Sequence, residues 1–422
     1  MLLEFSVANF RSFWQTQALQ MTAGPGRELR ESNCFSSQVP GVPNLLRSVV
    51  LYGPNAGGKS NLIRAMDFMK QFVLGSAKEG QEGEPIPVQP FLFHPEASSR
   101  ASEVQVLVIQ DGVRYQYGFA ATRERVTAEW LLAFPGGRPQ RWLDRRYDPA
   151  TGKESWHLGN KLTGPKRLWQ EATRPNALFL STAVQLNALA LKPLFHWFRE
   201  LAVIPHGVLV DPVFSIEQCQ DEAIRQRVVA FLNAADLSIA DVRLEKRPFS
   251  PEDLPADLPA DLREQVRQEL EGKKLVRVQL LHPVPGGHGT VSLPLGEESD
   301  GTRKLFAYAG PWLDILASGR IAFVDELDNS LHPAIVRFLL RRLHDPAAGS
   351  QGGQVIFSSH DTSILDPEVL RRDQIWFVER DAASASCLRP LSDFSPRKGE
   401  ALQKGYLRGR YGGLPYLSEI PA

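Results

Sequence analysis

The chain has 422 residues, of which 43% are hydrophobic and 23% charged, so it has enough apolar material for a sizeable globular core. Basic and acidic residues both number 48, which excludes a global positive field that would collect nucleic acid at long range and leaves only local DNA contact. Three widely separated cysteines argue against a disulfide framework and a cysteine-rich zinc site, and they favour a reducing compartment.

The amino-terminal part of the chain predicts strands that lead into a loop and a helix. Strands are expected at Leu2–Val7, Gln17–Thr22 and Leu46–Tyr52. The last of these ends in the glycine-rich GPNAGGKS, and the next segment, NLIRAMDFMKQFVL, has apolar residues at helical spacing. The first residues lack the basic start of a signal peptide and the long apolar run of a membrane span. We therefore expect a cytoplasmic protein that does not bind a membrane.

The middle of the chain predicts an antiparallel β subdomain and then a mainly helical region. Strands are expected at Val104–Ile109, Arg114–Ala120 and Val126–Phe134, with a tight turn at Asp111-Gly112 between the first two. The mainly helical pattern runs from 166 to 247 and includes helices at Ala183–Leu201 and Asp221–Ala235. The proline-rich PEDLPADLPADL, residues 251–262, predicts a linker into a short helix, Leu262–Glu271.

The last third of the chain alternates strands and helices, which is typical of an α/β sheet. Strands are expected at Leu275–Leu281, Thr290–Leu295, Ile321–Val324, Gln354–Phe357 and Gln374–Val378. Helices are expected to end at Ala317 and to span Ile335–Leu343. We expect the two ends of the chain to supply one sheet, with domains at 1–165, 166–272 (the mainly helical insertion) and 273–422.

The segment Gly53–Ser60 fits the phosphate-binding motif G-x-x-x-x-G-K-[ST] without exception and lies between a predicted strand and helix, as that motif requires. The glycines allow backbone N–H groups to surround phosphate oxygens, Lys59 would meet the β- and γ-phosphates, and Ser60 would ligate Mg²⁺. The expected nucleotide-binding residues of this segment are Gly53, Asn55, Gly57, Gly58, Lys59, Ser60 and Asn61. A chance glycine turn is the alternative, which the flanking elements disfavour.

An apolar strand, Arg320–Val324, ends in the two carboxylates Asp325 and Glu326, the arrangement of a Walker B segment. Asp325 would hold Mg²⁺ through water, and Glu326 would orient and activate the attacking water as a catalytic base. The alternative is a solvated strand end, which the phosphate-binding segment disfavours. We expect ATP and Mg²⁺ as the cofactors.

Seven segments together resemble the bacterial RloA-type ATPases, a branch of the SMC/RecF/OLD-like ABC ATPases, over nearly the whole chain. They are NFRSF, GPNAGGKSNL, ESDGTRKLF, FVDELDNSLHP, FSSHDTSIL, RRDQIWFVE and KGYLRGRYGGLPYL. The resemblance implies an α/β fold of the ABC-ATPase head type, with a mixed sheet around the phosphate loop, an antiparallel β subdomain and a mainly helical insertion. It also implies ATP hydrolysis coupled to a separately encoded effector, RloB-like or TOPRIM-like, in phage-defence or restriction-linked operons.

The resemblance also implies a site shared between two copies of the chain. Ser299 and Gly301 match the family's signature, although Glu298 and Thr302 replace its usual leucine and glutamine. In the family this helix start caps the γ-phosphate bound to the opposite subunit, so we expect a homodimer or higher homo-oligomer. An ordinary helix cap is the competing interpretation.

Three further residues have expected roles by resemblance. His360 takes the place of the switch histidine that senses the γ-phosphate, Gln89 that of the Q-loop glutamine that completes the metal shell, and Arg11 that of an amino-terminal arginine near the nucleotide. A structural histidine, a turn residue and a surface charge are the respective alternatives. Residues 329–333 lack the aspartate of transporter-type ABC proteins, and the insertion lacks the heptads of a long coiled coil.

The leading hypothesis is a regulatory ATPase that closes around ATP and controls an effector in anti-phage defence. The alternative is a RecF/SMC-like DNA-repair or recombination ATPase that binds DNA directly through local basic groups. The groups that motivate it are Arg145, Arg146, Arg337, Arg341 and Arg342. A transporter's ATPase subunit is disfavoured because no coupling surface is recognisable. The tail, residues 405–417, either packs on the head or docks a partner.

Overall fold

The computed structural model describes residues 1–205, 211–250, 259–270, 272, 274–287, 289–348, 352–395 and 401–414. The strands are β1 (Leu2–Ala8), β2 (Gln17–Gln20), β3 (Cys34–Phe35), β4 (Leu45–Leu46), β5 (Ser48–Tyr52), β6 (Ser102–Gln110), β7 (Val113–Ala121), β8 (Val126–Phe134), β9 (Gln140–Asp148), β10 (Lys153–Leu158), β11 (Ala202–Ile204), β12 (Asp241–Pro248), β13 (Lys274–Pro283), β14 (Thr290–Pro294), β15 (Ile321–Val324), β16 (Gln354–Ser358), β17 (Ile375–Arg380) and β18 (Ser386–Pro390). The α-helices are α1 (Arg30–Asn33), α2 (Lys59–Gly75), α3 (Lys166–Ala172), α4 (Phe179–Gln185), α5 (Lys192–Glu200), α6 (Val213–Gln218), α7 (Glu222–Ala234), α8 (Ala260–Leu270), α9 (Asp300–Ser318), α10 (Pro333–His344) and α11 (Leu402–Leu407).

The chain forms two compact units. The first contains the described residues within 1–208, 315–329 and 333–422, and the second contains those within 209–314 and 330–332. The helices α3 to α5 of the predicted insertion 166–272 belong to the first unit, whereas α6 to α8 belong to the second. Among the described residues, no helix combines the length and the apolar character that a membrane span needs.

The central sheet of the first unit has the strand order β11-β15-β16-β5-β17-β18. Its neighbouring strands are parallel except for the antiparallel pair β17 and β18. Strand β5, buried along its whole length, pairs with β16 through Val50 and Phe357 and with β17 through Val50 and Ile375. A near-continuous apolar run is what a parallel strand covered on both faces requires. The prediction that both ends of the chain supply one sheet is confirmed.

The parallel strands of this sheet bring the predicted motifs to one edge. The carboxyl ends of β5, β15 and β16 are followed by the glycine loop, by Asp325 and Glu326, and by His360, respectively. Ligands of open α/β sheets bind at the carboxyl ends of the strands. Helix α2 follows the glycine loop, and most of its apolar side chains are buried in the core that includes residues of β1 and β6.

A seven-stranded antiparallel sheet, also in the first unit, has the order β10-β9-β8-β7-β6-β1-β2. The predicted turn between β6 and β7 is confirmed, because Gln110 pairs with Val113 across Asp111 and Gly112, which both have positive φ. The α/β class with a phosphate-loop core and an antiparallel β subdomain is therefore confirmed. The sequence did not predict β9 and β10, because their charged side chains do not follow the alternation of a half-buried strand.

Two predictions in the region 166–247 are wrong. The single helix Ala183–Leu201 is instead two helices, because α4 ends at Gln185, Asn187 has a positive φ, and Pro193 opens α5. The end of the region is not helical but forms β12, which pairs along its whole length with β13. The short helix after the proline-rich segment is confirmed as α8, while residues 251–258 of the predicted linker lie outside the described residues.

The second unit contains the three-stranded antiparallel sheet β12-β13-β14 and most of α9. Within it, the Ser215 hydroxyl donates to Ala307 O at 3.0 Å and accepts from Gly310 N at 2.9 Å, so it satisfies backbone groups of α9 just before Pro311. A proline inside a helix leaves the carbonyl four residues earlier without its usual donor. That carbonyl is Ala307 O, and Ser215 replaces the missing hydrogen bond.

The described part of the tail packs on the central sheet of the first unit. The ring of Phe377 on β17 stacks on Tyr406 and Tyr411, with centroids 5.4 and 5.8 Å apart. Gly413 N donates to Glu379 Oε2 at 3.2 Å, and Tyr406 Oη donates to Gly413 O at 3.0 Å. These tail residues therefore act as packing groups, as one of the two predicted roles requires.

Candidate active site

The glycine loop between β5 and α2 passes so close to β17 and β18 that two of its positions admit only glycine. A Cβ on Gly53 would lie 2.1 Å from Val378 O, and a Cβ on Gly58 would lie 2.1 Å from Ser386 Oγ. Gly58 also has a φ of 119°, which side chains disfavour. The glycines are thus needed for packing against the sheet as well as for approach to phosphates.

A chain of polar side chains holds this loop in place. Ser386 Oγ donates to Gly57 O at 2.6 Å and lies 2.8 Å from Ser12 Oγ, which accepts from Asn61 Nδ2 at 2.9 Å. Ser12 and Ser386 are buried, so each hydroxyl finds its partners inside the protein. Neither serine was predicted from the sequence, because no motif or spacing marks a hydroxyl that acts across three elements.

Lys59 is buried at the start of α2 and folds back on the loop. Its Nζ donates to Gly53 O at 2.7 Å and to Pro54 O at 3.2 Å. Burial lowers the pKa of Lys59, whereas the charges of Asp325 and Glu326 act to raise it. An ammonium group satisfied only by carbonyl oxygens is well suited to exchange them for phosphate oxygens, which carry full negative charge.

The carboxylates that end β15 are fixed by one hydroxyl on the neighbouring strand. Ser358 Oγ donates to Asp325 Oδ1 at 2.5 Å and accepts from Glu326 N at 2.7 Å. Glu326 adopts a φ of 51°, a left-handed conformation that costs a residue with a side chain about 1–3 kcal/mol. No sequence pattern predicts this role for Ser358.

Asp325 has an unsatisfied oxygen that fits a metal site. Its Oδ2 is buried and has no hydrogen-bond partner among the described residues. The described ranges contain no group of three or more His, Cys, Asp or Glu side chains able to hold a metal. Magnesium commonly binds one or two carboxylates together with substrate phosphates and water. Asp325 and the half-buried Ser60 fit that manner of binding, in which the triphosphate supplies the remaining ligands.

His360 lies at the mouth of this acidic edge. Its backbone N–H donates to Asp328 Oδ2 at 3.1 Å, and its side chain is exposed. An open cleft there, called the acidic cleft below, is lined by Asn55, Glu326, Asp328, Asn329 and His360. The structure therefore brings together the glycine loop, the Walker B segment and the expected switch histidine.

A separate cavity of about 880 Å³, called the side cavity below, is lined by Arg11, Asn61 and Gln89 among other residues. Arg11 has a φ of 50°, its backbone N–H donates to Gln89 O at 2.8 Å, and its Nε is buried without a partner among the described residues. Burial and the nearby Arg64 lower the pKa of Arg11. Gln89 is exposed in this cavity and does not line the acidic cleft.

Ser299 and Gly301 lie in the second unit, at the start of α9. Ser299 Oγ accepts from Thr302 N at 3.2 Å, which is the contact of an ordinary N-cap. A Cβ on Gly301 would lie 3.1 Å from Ser330 O, so the glycine leaves room for close backbone approach. The cap leaves the other N–H groups of the first turn available to an anion.

Comparison with known proteins gives one family match. Residues 48–218 and 220–366 match the model described as AAA domain, putative AbiEii toxin, Type IV TA system. These ranges contain the glycine loop, the acidic strand end and His360. No curated protein matches the chain.

Several solved structures align with most of this chain at low sequence identity. The SMC head domain from Thermotoga maritima is 14% identical, with a TM-score of 0.40 and coverage of 92% of this chain and 98% of that chain. The SmcHead bound to the C-winged helix domain of ScpA is 13% identical, with a TM-score of 0.42 and coverage of 92% and 96%. The recombination mediator protein RecF-ATP is 15% identical, with a TM-score of 0.39 and coverage of 92% and 99%.

Proposed function

The chain belongs to the family described as AAA domain, putative AbiEii toxin, Type IV TA system, and we propose that it binds and hydrolyses ATP in a homodimer or higher homo-oligomer that closes around the nucleotide. One observation carries the proposal: Lys59, the unpartnered Oδ2 of Asp325 and the exposed cleft beside Glu326 lie at one edge of one sheet. A cation, a metal-binding oxygen and a base at one phosphate loop are the parts that triphosphate hydrolysis requires.

The roles of the side chains follow from their contacts. Lys59 would exchange the carbonyls of Gly53 and Pro54 for β- and γ-phosphate oxygens. Magnesium held by Ser60 and Asp325 would neutralise charge on the phosphates. Glu326, fixed through its backbone by Ser358, would orient the attacking water and accept its proton, and His360 would contact the γ-phosphate.

The second half of each site would come from a facing copy. The start of α9, with Ser299 and Gly301, offers backbone N–H groups and a positive helix end to the γ-phosphate of the other subunit. Two copies related by a twofold axis would then enclose two nucleotides.

Subunit mixing tests this arrangement. Lys59→Ala lacks a working phosphate loop and Ser299→Arg lacks a working signature, so each variant alone should be inactive. Mixed dimers contain one site with an intact loop and an intact signature, and the mixture should regain ATP turnover. A mixture that stays as inactive as its components would contradict a shared site.

A separately encoded effector is the proposed target of this ATPase cycle. The family description names a putative toxin of a Type IV toxin–antitoxin system, and such a system has a second component. By resemblance, the partner would be RloB-like or TOPRIM-like and would act in anti-phage defence. Co-expression with the neighbouring gene and mass measurement of the purified complex test the partner, and cleavage of DNA by this chain alone would contradict the assignment.

Direct DNA binding of the RecF/SMC kind draws less support from the arginines that suggested it. Arg145 is buried, donates to Glu154 at 3.0 Å and packs over the ring of Trp156. Arg146, Arg337 and Arg342 form ion pairs with acidic residues of the first unit. If the chain binds DNA more tightly with ATP and more weakly with added salt, direct DNA binding would be favoured over regulation of a separate effector.

A further inference from the structure

The side cavity borders the first turn of α2, directly after the glycine loop. The γ-phosphate end is expected in the acidic cleft, because Glu326 and His360 line it. Asn61, two residues beyond Lys59 on the first turn of α2, lines the side cavity instead. A triphosphate is a linear chain, so its nucleoside emerges at the end opposite the γ-phosphate. The volume of about 880 Å³ falls within the usual size of ligand pockets, roughly 300–1,000 Å³.

The charge of the side cavity suits an anionic ligand. Its charged lining residues are Arg11, Arg100, Arg123, Arg380 and Glu124. The cations outnumber the single carboxylate, and the buried Nε of Arg11 has no partner among the described residues. A concave, positively charged surface attracts phosphate oxygens.

Arg380 connects the side cavity to the glycine loop. It ends β17, and its Nε donates to Ala56 O at 2.8 Å. The residue is exposed and lines both the side cavity and the pocket beside Gly53 and Gly57. A guanidinium held at Nε keeps two further nitrogens in a fixed plane for other acceptors.

Phe93 gives the side cavity an apolar wall. Its side chain is 69% exposed, and that of the adjacent Leu92 is 82% exposed, although both line the cavity. The ring of Phe93 meets the buried ring of Phe91 edge to face at 5.7 Å. Aromatic rings held in this way provide a flat surface for a base, and stacking on such a ring contributes about 1–3 kcal/mol.

We propose that the side cavity binds the nucleoside of ATP, with Arg380 contacting the ribose oxygens and Phe93 stacking on the base. The proposal rests on the proposed ATPase function. It assigns nucleoside-binding roles to Arg380 on β17 and to Phe93 after Gln89, which both lie outside the phosphate and metal motifs. It also predicts that inorganic tripolyphosphate, which has no nucleoside, is bound without their help.

Calorimetric binding of ATP and of inorganic tripolyphosphate by the whole chain tests the proposal. Arg380→Gln and Phe93→Ala should each weaken ATP binding about tenfold, as loss of one charged hydrogen bond or one stacking contact does, and should change tripolyphosphate binding less than about twofold. Arg389→Gln and Leu189→Ala alter exposed side chains outside the cavity and should leave both ligands unaffected.

The outcomes separate this proposal from the ATPase assignment. Equal losses of ATP and tripolyphosphate in R380Q would mean that Arg380 only supports the loop, and unchanged ATP binding in either variant would also overturn the proposal. Wild-type protein that binds neither ligand would instead remove the proposed function. Photolabelling of the wild type with azido-ATP gives a measurement that no variant's folding affects: label on residues that line the side cavity supports the proposal, and label confined to other residues overturns it.

Discussion

The Ser358 hydroxyl lies 2.5 Å from Asp325 Oδ1 and donates a hydrogen bond to it across the neighbouring parallel strands β16 and β15. The same oxygen accepts from the backbone N–H of Glu326 at 2.7 Å. One buried hydroxyl therefore fixes the proposed metal-binding carboxylate and the strained backbone of the proposed base.

Replacing Ser358 by alanine should reduce ATP turnover more than ATP binding. The change removes the contacts that orient Asp325 and Glu326 but leaves the glycine loop intact, and loss of such a supporting contact typically costs about 10- to 100-fold. Steady-state turnover and calorimetric ATP affinity measure the two effects. Ser358→Thr should restore part of the rate, and the exposed Ser155→Ala should change neither quantity. Equal losses in affinity and rate would contradict a positioning role for Ser358.

Lys59→Ala should abolish detectable ATP binding. The variant removes the cation that the loop carbonyls hold in place, so the β- and γ-phosphates lose their charged partner. Lys70→Ala, on the same helix, is the matched control and should bind like the wild type. Calorimetric titration with ATP and Mg²⁺ checks both variants. Retained affinity in K59A would show that the triphosphate binds elsewhere.

The parallel core could be predicted because its local signals agree with its tertiary structure. The segments that form β5, β15, β16 and β17 are apolar runs that end in polar loops, and each is buried from both faces in the sheet. Strand β9 could not be predicted from the sequence, because Arg145 is a charged residue at a fully buried position. Its two terminal guanidinium nitrogens donate to Ala177 O and Glu154, and partners this far along the chain leave no periodic pattern.

The residues of the candidate site also divide into those that the sequence identifies and those that it does not. The phosphate-loop residues and the acidic pair have a fixed spacing, so the sequence identifies them. Ser12, Ser358 and Ser386 have no such spacing, since each acts on a backbone or side chain from another part of the chain. Arg380 and Phe93 join one cavity only because β17 and the segment after Gln89 come together in the fold.

Glu326→Gln should bind ATP and accumulate as a closed dimer or higher assembly. The amide keeps the size and hydrogen-bonding capacity of the side chain but cannot accept the water's proton, so turnover should fall about 10²-fold or more. Sedimentation with ATP, with ADP and without nucleotide measures the assembly. The exposed Glu368→Gln should behave like the wild type. An E326Q protein with the same mass in all three conditions would argue against a nucleotide sandwich.

His344 links the stability of the central sheet to pH. Its Nε2 lies 2.9 Å from Ser48 Oγ, which accepts from Gln374 Nε2 at 2.8 Å. Ser48 Oγ can donate to His344 Nε2 or accept from it, according to the imidazole tautomer. Burial, and then the charge of Arg47, lower the pKa of His344 from 6.5 to about 3.

Acidification should therefore destabilise the wild type in the window between about pH 6.5 and about pH 3. There the unfolded chain binds a proton at His344 that the folded chain excludes, so the free energy of unfolding falls as pH falls. Between pH 7 and pH 5 this group should contribute a loss of about 2 kcal/mol that His344→Gln lacks. Urea unfolding at both pH values measures the difference, with the exposed His157→Gln as the control. Parallel losses in wild type and H344Q would mean that His344 is protonated in the folded protein.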